Sequence, residues 1–164
     1  MNPDDFWEFS LALYCREAVA NACLSLQERR GADVNLILAI CWLARSGYAV
    51  RETAIESALA AIAPWSEAIL RPMRTIRRRL GAEFAEVGAN QRQSIKHGLL
   101  SVELEAERIS QQKIVAVMAD HLDGLSTEPA RGLAAVGLDL YLARLAAENH
   151  AQDRADRDAI LAGL

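Results

Sequence analysis

The chain lacks the patterns that usually advertise chemistry. There is no G-x-S-x-G, no glycine-rich phosphate loop and no H-E-x-x-H. Those absences remove the signatures of α/β-hydrolases, P-loop nucleotidases and zinc proteases. The three cysteines, Cys15, Cys23 and Cys41, have no C-x-x-C spacing. All three sit in apolar helical runs and read as buried thiols of a reducing compartment. The three histidines, His97, His121 and His150, are widely separated. No Glu-x-x-His pair accompanies Glu103 or Glu107, so no helical metal centre is expected. Neither a catalytic residue nor a cofactor is assigned.

Other features are scarce in an equally informative way. No stretch approaches the ~20 apolar residues that a bilayer span needs. The N-terminus, Met1-Asn2-Pro3-Asp4-Asp5, has no basic segment followed by an apolar run. No signal peptide is therefore expected, and the expected location is the cytoplasm. No strand pattern, internal repeat or low-complexity tract is evident.

What the sequence does have is helical periodicity around one apolar stretch. Between Val34 and Ala44 only Asn35 is polar. Asp33 suits an N-cap and Gly47 a stop. A helix apolar on every side, and too short to span a membrane, belongs in the middle of a soluble core. The expected fold is all-α, a multi-helix bundle packed around this central helix at about residues 33–46.

The remaining helices follow from the same signals. Asn2-Pro3 opens a first helix, with Asp4 and Asp5 where the dipole favours acids. A second runs from about Arg16 to Arg30 and ends at Gly31, a tight hairpin away from the central one. A fourth covers about 51–63, and Pro64 reads as the first residue of a fifth, which Pro72 should kink. A long sixth runs from about Asn90 to Leu122. Ser126, Thr127, Pro129 and Gly132 mark a connector. The expected division is a bundle domain over 1–125 and a C-terminal helical extension over 126–164, packing on the bundle or on a partner. From Glu148 to Asp158 the chain is highly polar and reads as a solvated segment.

Charge is unevenly placed. Residues 1–60 carry net −3, residues 61–100 net +4 and residues 101–164 net −5, for a total of −4. A basic middle thus lies between acidic ends. Its centre is the run Arg71, Arg74, Arg77, Arg78 and Arg79, of which Arg71, Arg74 and Arg78 share a helical face. Three readings stand: pairing with the acidic Glu103/Glu107 helix, contact with an anion or RNA, or contact with a partner protein. The residues interleaved with the arginines are aliphatic, so no base-stacking platform is present. Glu103 and Glu107, at i and i+4, need a cation between them. Asn35 joins these residues as part of a candidate polar or anion site.

The order of certain segments is also suggestive. Phe6-Trp7-Glu8-Phe9-Ser10-Leu11, Ala22-Cys23-Leu24-Ser25-Leu26-Gln27, Gly31-Ala32-Asp33-Val34-Asn35-Leu36 and Trp42-Leu43-Ala44 follow one another. Trp65, then Arg71-Pro72-Met73-Arg74 through Arg77-Arg78, and an acidic helix at Val102–Arg108 come after them. Together they resemble a bacterial family of small all-helical proteins of unknown function, over roughly residues 5–110. Met73 stands where the pattern has leucine, and Arg16-Glu17-Ala18 where it has a Pro-Gly-like turn. The resemblance implies a helical fold and a bacterial origin, and no reaction.

Two functions are consistent with all this. The first is a non-enzymatic cytoplasmic interaction or adaptor protein, binding a protein partner or forming a homodimer. Its candidate interface is Leu138, Tyr141, Leu142 and Leu145, a second apolar stripe beside Leu133, Val136, Leu140 and Ala143. The alternative is an anion- or nucleic-acid-binding module using the arginine-rich helix Arg71–Arg79.

Overall fold

The computed structural model describes residues 1–84, 86–145 and 150–164, without the His150 side chain. Among these there is no strand. The helices are α1 (Pro3–Tyr14), α2 (Glu17–Arg30), α3 (Val34–Arg45), α4 (Glu52–Trp65), α5 (Arg71–Ala82), α6 (Ala89–Met118), α7 (Ala130–Leu142) and α8 (His150–Ala162). A π-helical segment, Ser66–Leu70, joins α4 to α5, and a short 3-10 turn, Ala119–His121, follows α6.

The local signals at the start of the chain act as their chemistry requires. Asn2 Oδ1 accepts the Asp4 N–H at 3.1 Å, and Asp33 Oδ1 accepts that of Leu36 at 3.2 Å. Gly31 ends α2 at φ 68°, a left-handed conformation that glycine adopts without a Cβ penalty. α3 then begins only two residues later.

Every residue of α3 from Asn35 to Ala44 is buried. α1, α6 and α7 pack against it, and α2 and α4 touch it. Trp42 retains 8% of its exposure and stacks on Phe6 of α1, centroids 5.1 Å apart. α7 lies close to α3 because position 137 is glycine. A Cβ there would fall 2.6 Å from Ile40 Cγ2. α8 packs on α2, with Ile160 and Leu161 buried. The C-terminal helices therefore sit in the same continuous core as α1–α4.

Two prolines behave differently from expectation. Pro64 lies inside the last turn of α4 rather than opening a new helix. Its missing N–H would have bonded the Ala60 carbonyl, and both residues are exposed, so water can take that carbonyl. Pro72 occupies the first turn of α5, just beyond the π-helical segment, where the Arg71 N–H reaches back to Ser66 O. The wider turn absorbs the irregularity, and helix continues from Glu52 to Ala82.

Two outcomes follow. Trp42→Ala should cost ~3–5 kcal/mol in urea denaturation, through lost burial and a cavity against Phe6. A chain ending at Leu125 should show no cooperative thermal transition, because it strips α7 and α8 from buried α3 and α2.

Candidate functional site

α5 buries no residue of its own. Ion pairs to α6 hold it down. Arg74 pairs with Glu107, and Arg77 Nε donates to both oxygens of Glu103, at 2.8 and 3.0 Å. Glu103 is buried, so a lost partner would leave a desolvated charge. The second Glu107 oxygen accepts from Asn35 Nδ2. Asn35 Oδ1 in turn accepts from Gln111 Nε2 at 3.0 Å. Ser10 Oγ stands 3.4 Å from Gln111 Oε1 and donates to Phe6 O at 2.8 Å. One polar chain thus links α5, α6, α3 and α1, and among the described residues no buried side-chain nitrogen or oxygen lacks a partner.

The other arginines have different surroundings. Arg79 pairs with Glu83 at 3.0 Å and lies over Phe84. Arg71 and Arg78 are exposed and have no ion-pair partner among the described residues. Both line an open cavity of about 790 Å³ between α2, the π-helical segment, α5 and α7. Arg74 and Arg77 separate this cavity from a second, smaller groove of about 200 Å³ between α1, α2 and α6. The rim of that groove is apolar: Trp7, Leu11, Tyr14, Leu24, Leu100 and Leu104. Its leucines keep 42–50% of their exposure.

A family model described as a protein of unknown function, DUF2390, matches residues 5–114. The chain belongs to the DUF2390 family. Comparisons with curated proteins and with solved structures return no match. The DUF2390 match takes in α1 through most of α6, and with them the whole polar chain and the groove. α7 and α8 lie beyond it.

Those two helices correct the sequence reading. Leu138, Tyr141 and Leu142 are buried in the chain's own core, and Leu145 is half-buried at the edge of the larger cavity. They form no free interface. In the other stripe Leu133 is buried and Leu140 half-buried, and only Val136, 60% exposed, and Ala143 face outward. Gly137 carries the signal that apolar counting missed. It lies on the face that approaches α3.

The polar segment is not wholly solvated either. Glu148 lies outside the described residues, but Asp153 and Asp156 in α8 are buried. Arg29 pairs with them at 2.9 and 2.5 Å, and Arg30 pairs with Asp153. Arg30 also donates to the Leu142 and Leu145 carbonyls, both at 3.0 Å. Two arginines ending one helix and two aspartates three apart on another were the legible clue.

Two of the three thiols lie where the sequence places them, in the core, and the third does not. Burial pushes Cys23 and Cys41 up to about 12, whereas Cys15 is exposed. Among the described residues no three His, Cys, Asp or Glu side chains could hold a metal ion.

Asp33 is the perturbed carboxyl of the site. Burial first, and Glu107 second, raise it to about 6 against the lowering effect of the Leu36 N–H, Arg74 and the Asn35 N–H. Its own N–H donates to Tyr141 Oη at 2.7 Å. Because the folded chain holds this proton more tightly than the unfolded one, the cost of ionising Asp33 is full above about pH 6. That cost fades as pH falls toward the ordinary value of 3.8. Asp33→Asn keeps the capping oxygen and removes the charge. It should stabilise the fold by on the order of 1–2 kcal/mol at pH 7.5, with the gain shrinking at pH 4.5, as read by thermal denaturation at both pH values.

Proposed function

We propose that this DUF2390 protein is a non-enzymatic interaction protein that seats an apolar helical segment of a protein partner in the groove between α1, α2 and α6. The observation that carries this reading is the groove rim. Leu11, Leu24, Leu100 and Leu104 stay substantially exposed while converging on one place with Trp7 and Tyr14. Clustered apolar exposure of this kind is typical of interaction surfaces, and a helix laid in a groove buries it efficiently. The floor supports the reading too. Its ion pairs and amides already have partners, so they shape the groove without demanding a ligand. Free thiols at all three cysteines suit a reducing cytoplasm. The resemblance in the sequence adds a bacterial source. No helix among the described residues is long and apolar enough to cross a membrane.

The alternative reading, an anion- or nucleic-acid-binding module, is favoured by one observation. Arg71 and Arg78 are exposed and have no ion-pair partner among the described residues, on a stretch, residues 71–99, with seven basic and two acidic side chains. Salt separates the two. Phosphate contacts make affinity fall steeply with ionic strength, and apolar seating does not.

The test is a pull-down with the native chain and with Leu100→Glu/Leu104→Glu, at 50 and 300 mM salt. Circular dichroism checks that the exposed substitutions leave the fold intact. The expected result is a protein retained by the native chain at both salt levels and lost from the variant. Identical retention by both chains would overturn the groove, and nucleic acid released by salt would favour the alternative. Light scattering distinguishes a second copy from another protein as the occupant.

A further inference from the structure

We infer that the larger cavity, between α2, the π-helical segment, α5 and α7, is a binding site for a small phosphorylated organic molecule. The inference does not depend on the groove, and it narrows the alternative reading above from anions in general to one ligand class. Four arginines line the cavity. Two of them, Arg74 and Arg77, are neutralised by Glu107 and Glu103. Arg71 and Arg78 have no ion-pair partner among the described residues, and two such guanidinium groups match the ~1.5–2 negative charges of a phosphate monoester.

Placement supports the match. Arg71, Arg74 and Arg78 stand at i, i+3 and i+7, so each neighbouring pair can close on one anion in the forked geometry that suits phosphate. Glu107 holds Arg74 from the groove side, which fixes its orientation before any ligand arrives. The π-helical segment is an independent sign. Ser66 and Glu67 in it line the cavity. An extra residue in one turn rotates everything downstream by about 100°, and that phase sets where the arginine stripe of α5 faces. Such irregular turns recur at functional sites.

The rest of the lining restricts the ligand. Leu24, Leu59 and Ile62 give the cavity an apolar wall suited to an organic body rather than a bare inorganic ion. Glu28 and Glu67, both exposed, and half-buried Asp33 also line it. A long polyanion laid through the cavity would meet these carboxylates, whereas a single phosphate at the arginines need not. Their charge disfavours nucleic acid here and tolerates a body carrying hydrogen-bond donors or a positive charge.

The test uses phenyl phosphate, inorganic phosphate and a 12-nucleotide single strand, titrated calorimetrically into the full chain at low salt. The expected result is saturable binding of phenyl phosphate, tighter than inorganic phosphate. Arg71→Ser/Arg78→Ser, which breaks no ion pair, should weaken it by about tenfold or more. Arg79→Ser, outside the cavity, should leave it within about twofold, and so should the groove variant Leu100→Glu/Leu104→Glu. The absence of saturable phenyl phosphate binding would overturn the inference. Equal weakening by Arg79→Ser would do so too, as non-specific charge attraction. Oligonucleotide binding tighter than phenyl phosphate would overturn it in favour of nucleic acid.

Discussion

Glu107 ties α5 to the core of the bundle. One of its oxygens takes Arg74 from α5 and the other takes Asn35 from α3. A carboxylate can accept two partners on two oxygens, and this one uses both to join a helix that buries nothing to a helix that is buried almost throughout. Without that bridge α5 would rely on the Arg77–Glu103 pair and on apolar contacts near its start. Trp65, whose indole donates to Ala106 O at 3.0 Å, and buried Leu70 anchor that end. A partly buried ion pair of this kind adds modest net stability, but with Asn35 on the second oxygen it fixes the position of α5 against α3.

That geometry divides the surface. On one side of Arg74 and Arg77 lies an apolar-rimmed groove, and on the other a cavity lined by the exposed Arg71 and Arg78. The same two side chains form a wall of each. The two proposals therefore occupy opposite faces of a single partition and call for different chemistry: an apolar segment on one face, a phosphate on the other. Asp33 at the cavity wall holds its proton firmly because it is desolvated and lies near Glu107, and Arg74 only partly offsets that.

Much of the fold was legible because its signals are local. Asn2, Gly31 and Asp33 act through bonds to their near neighbours, and the period of the apolar residues gives helices directly. The pairing of the arginine run with Glu103 and Glu107 was legible too, since opposite charges on two helices of one bundle had an obvious solution. Asn35 stood out as the one polar residue in an apolar run. What could not be read was which apolar face of α7 meets the core. Its two stripes lie on nearly opposite sides of the helix, and Gly137, which has no side chain to count, marks the side that approaches α3. α8 was misread for a related reason. Asp153 and Asp156 look solvated until Arg29 and Arg30 are brought to them from more than a hundred residues away. Pro72 announced an irregularity at this point, but not that a π-helical turn just before it would absorb the kink.

The central claim is that Glu107 couples α5 to the core. Native-state hydrogen exchange on the intact chain and on Glu107→Gln tests it most directly, because exchange reports the opening of each helix separately. The account predicts that amides from Thr75 to Ala82 lose protection by about tenfold or more in the variant. Those of α3 from Ile37 to Ala44 should keep their native ranking as the slowest. Unchanged protection along α5, or an equal loss spread over every helix, would contradict it.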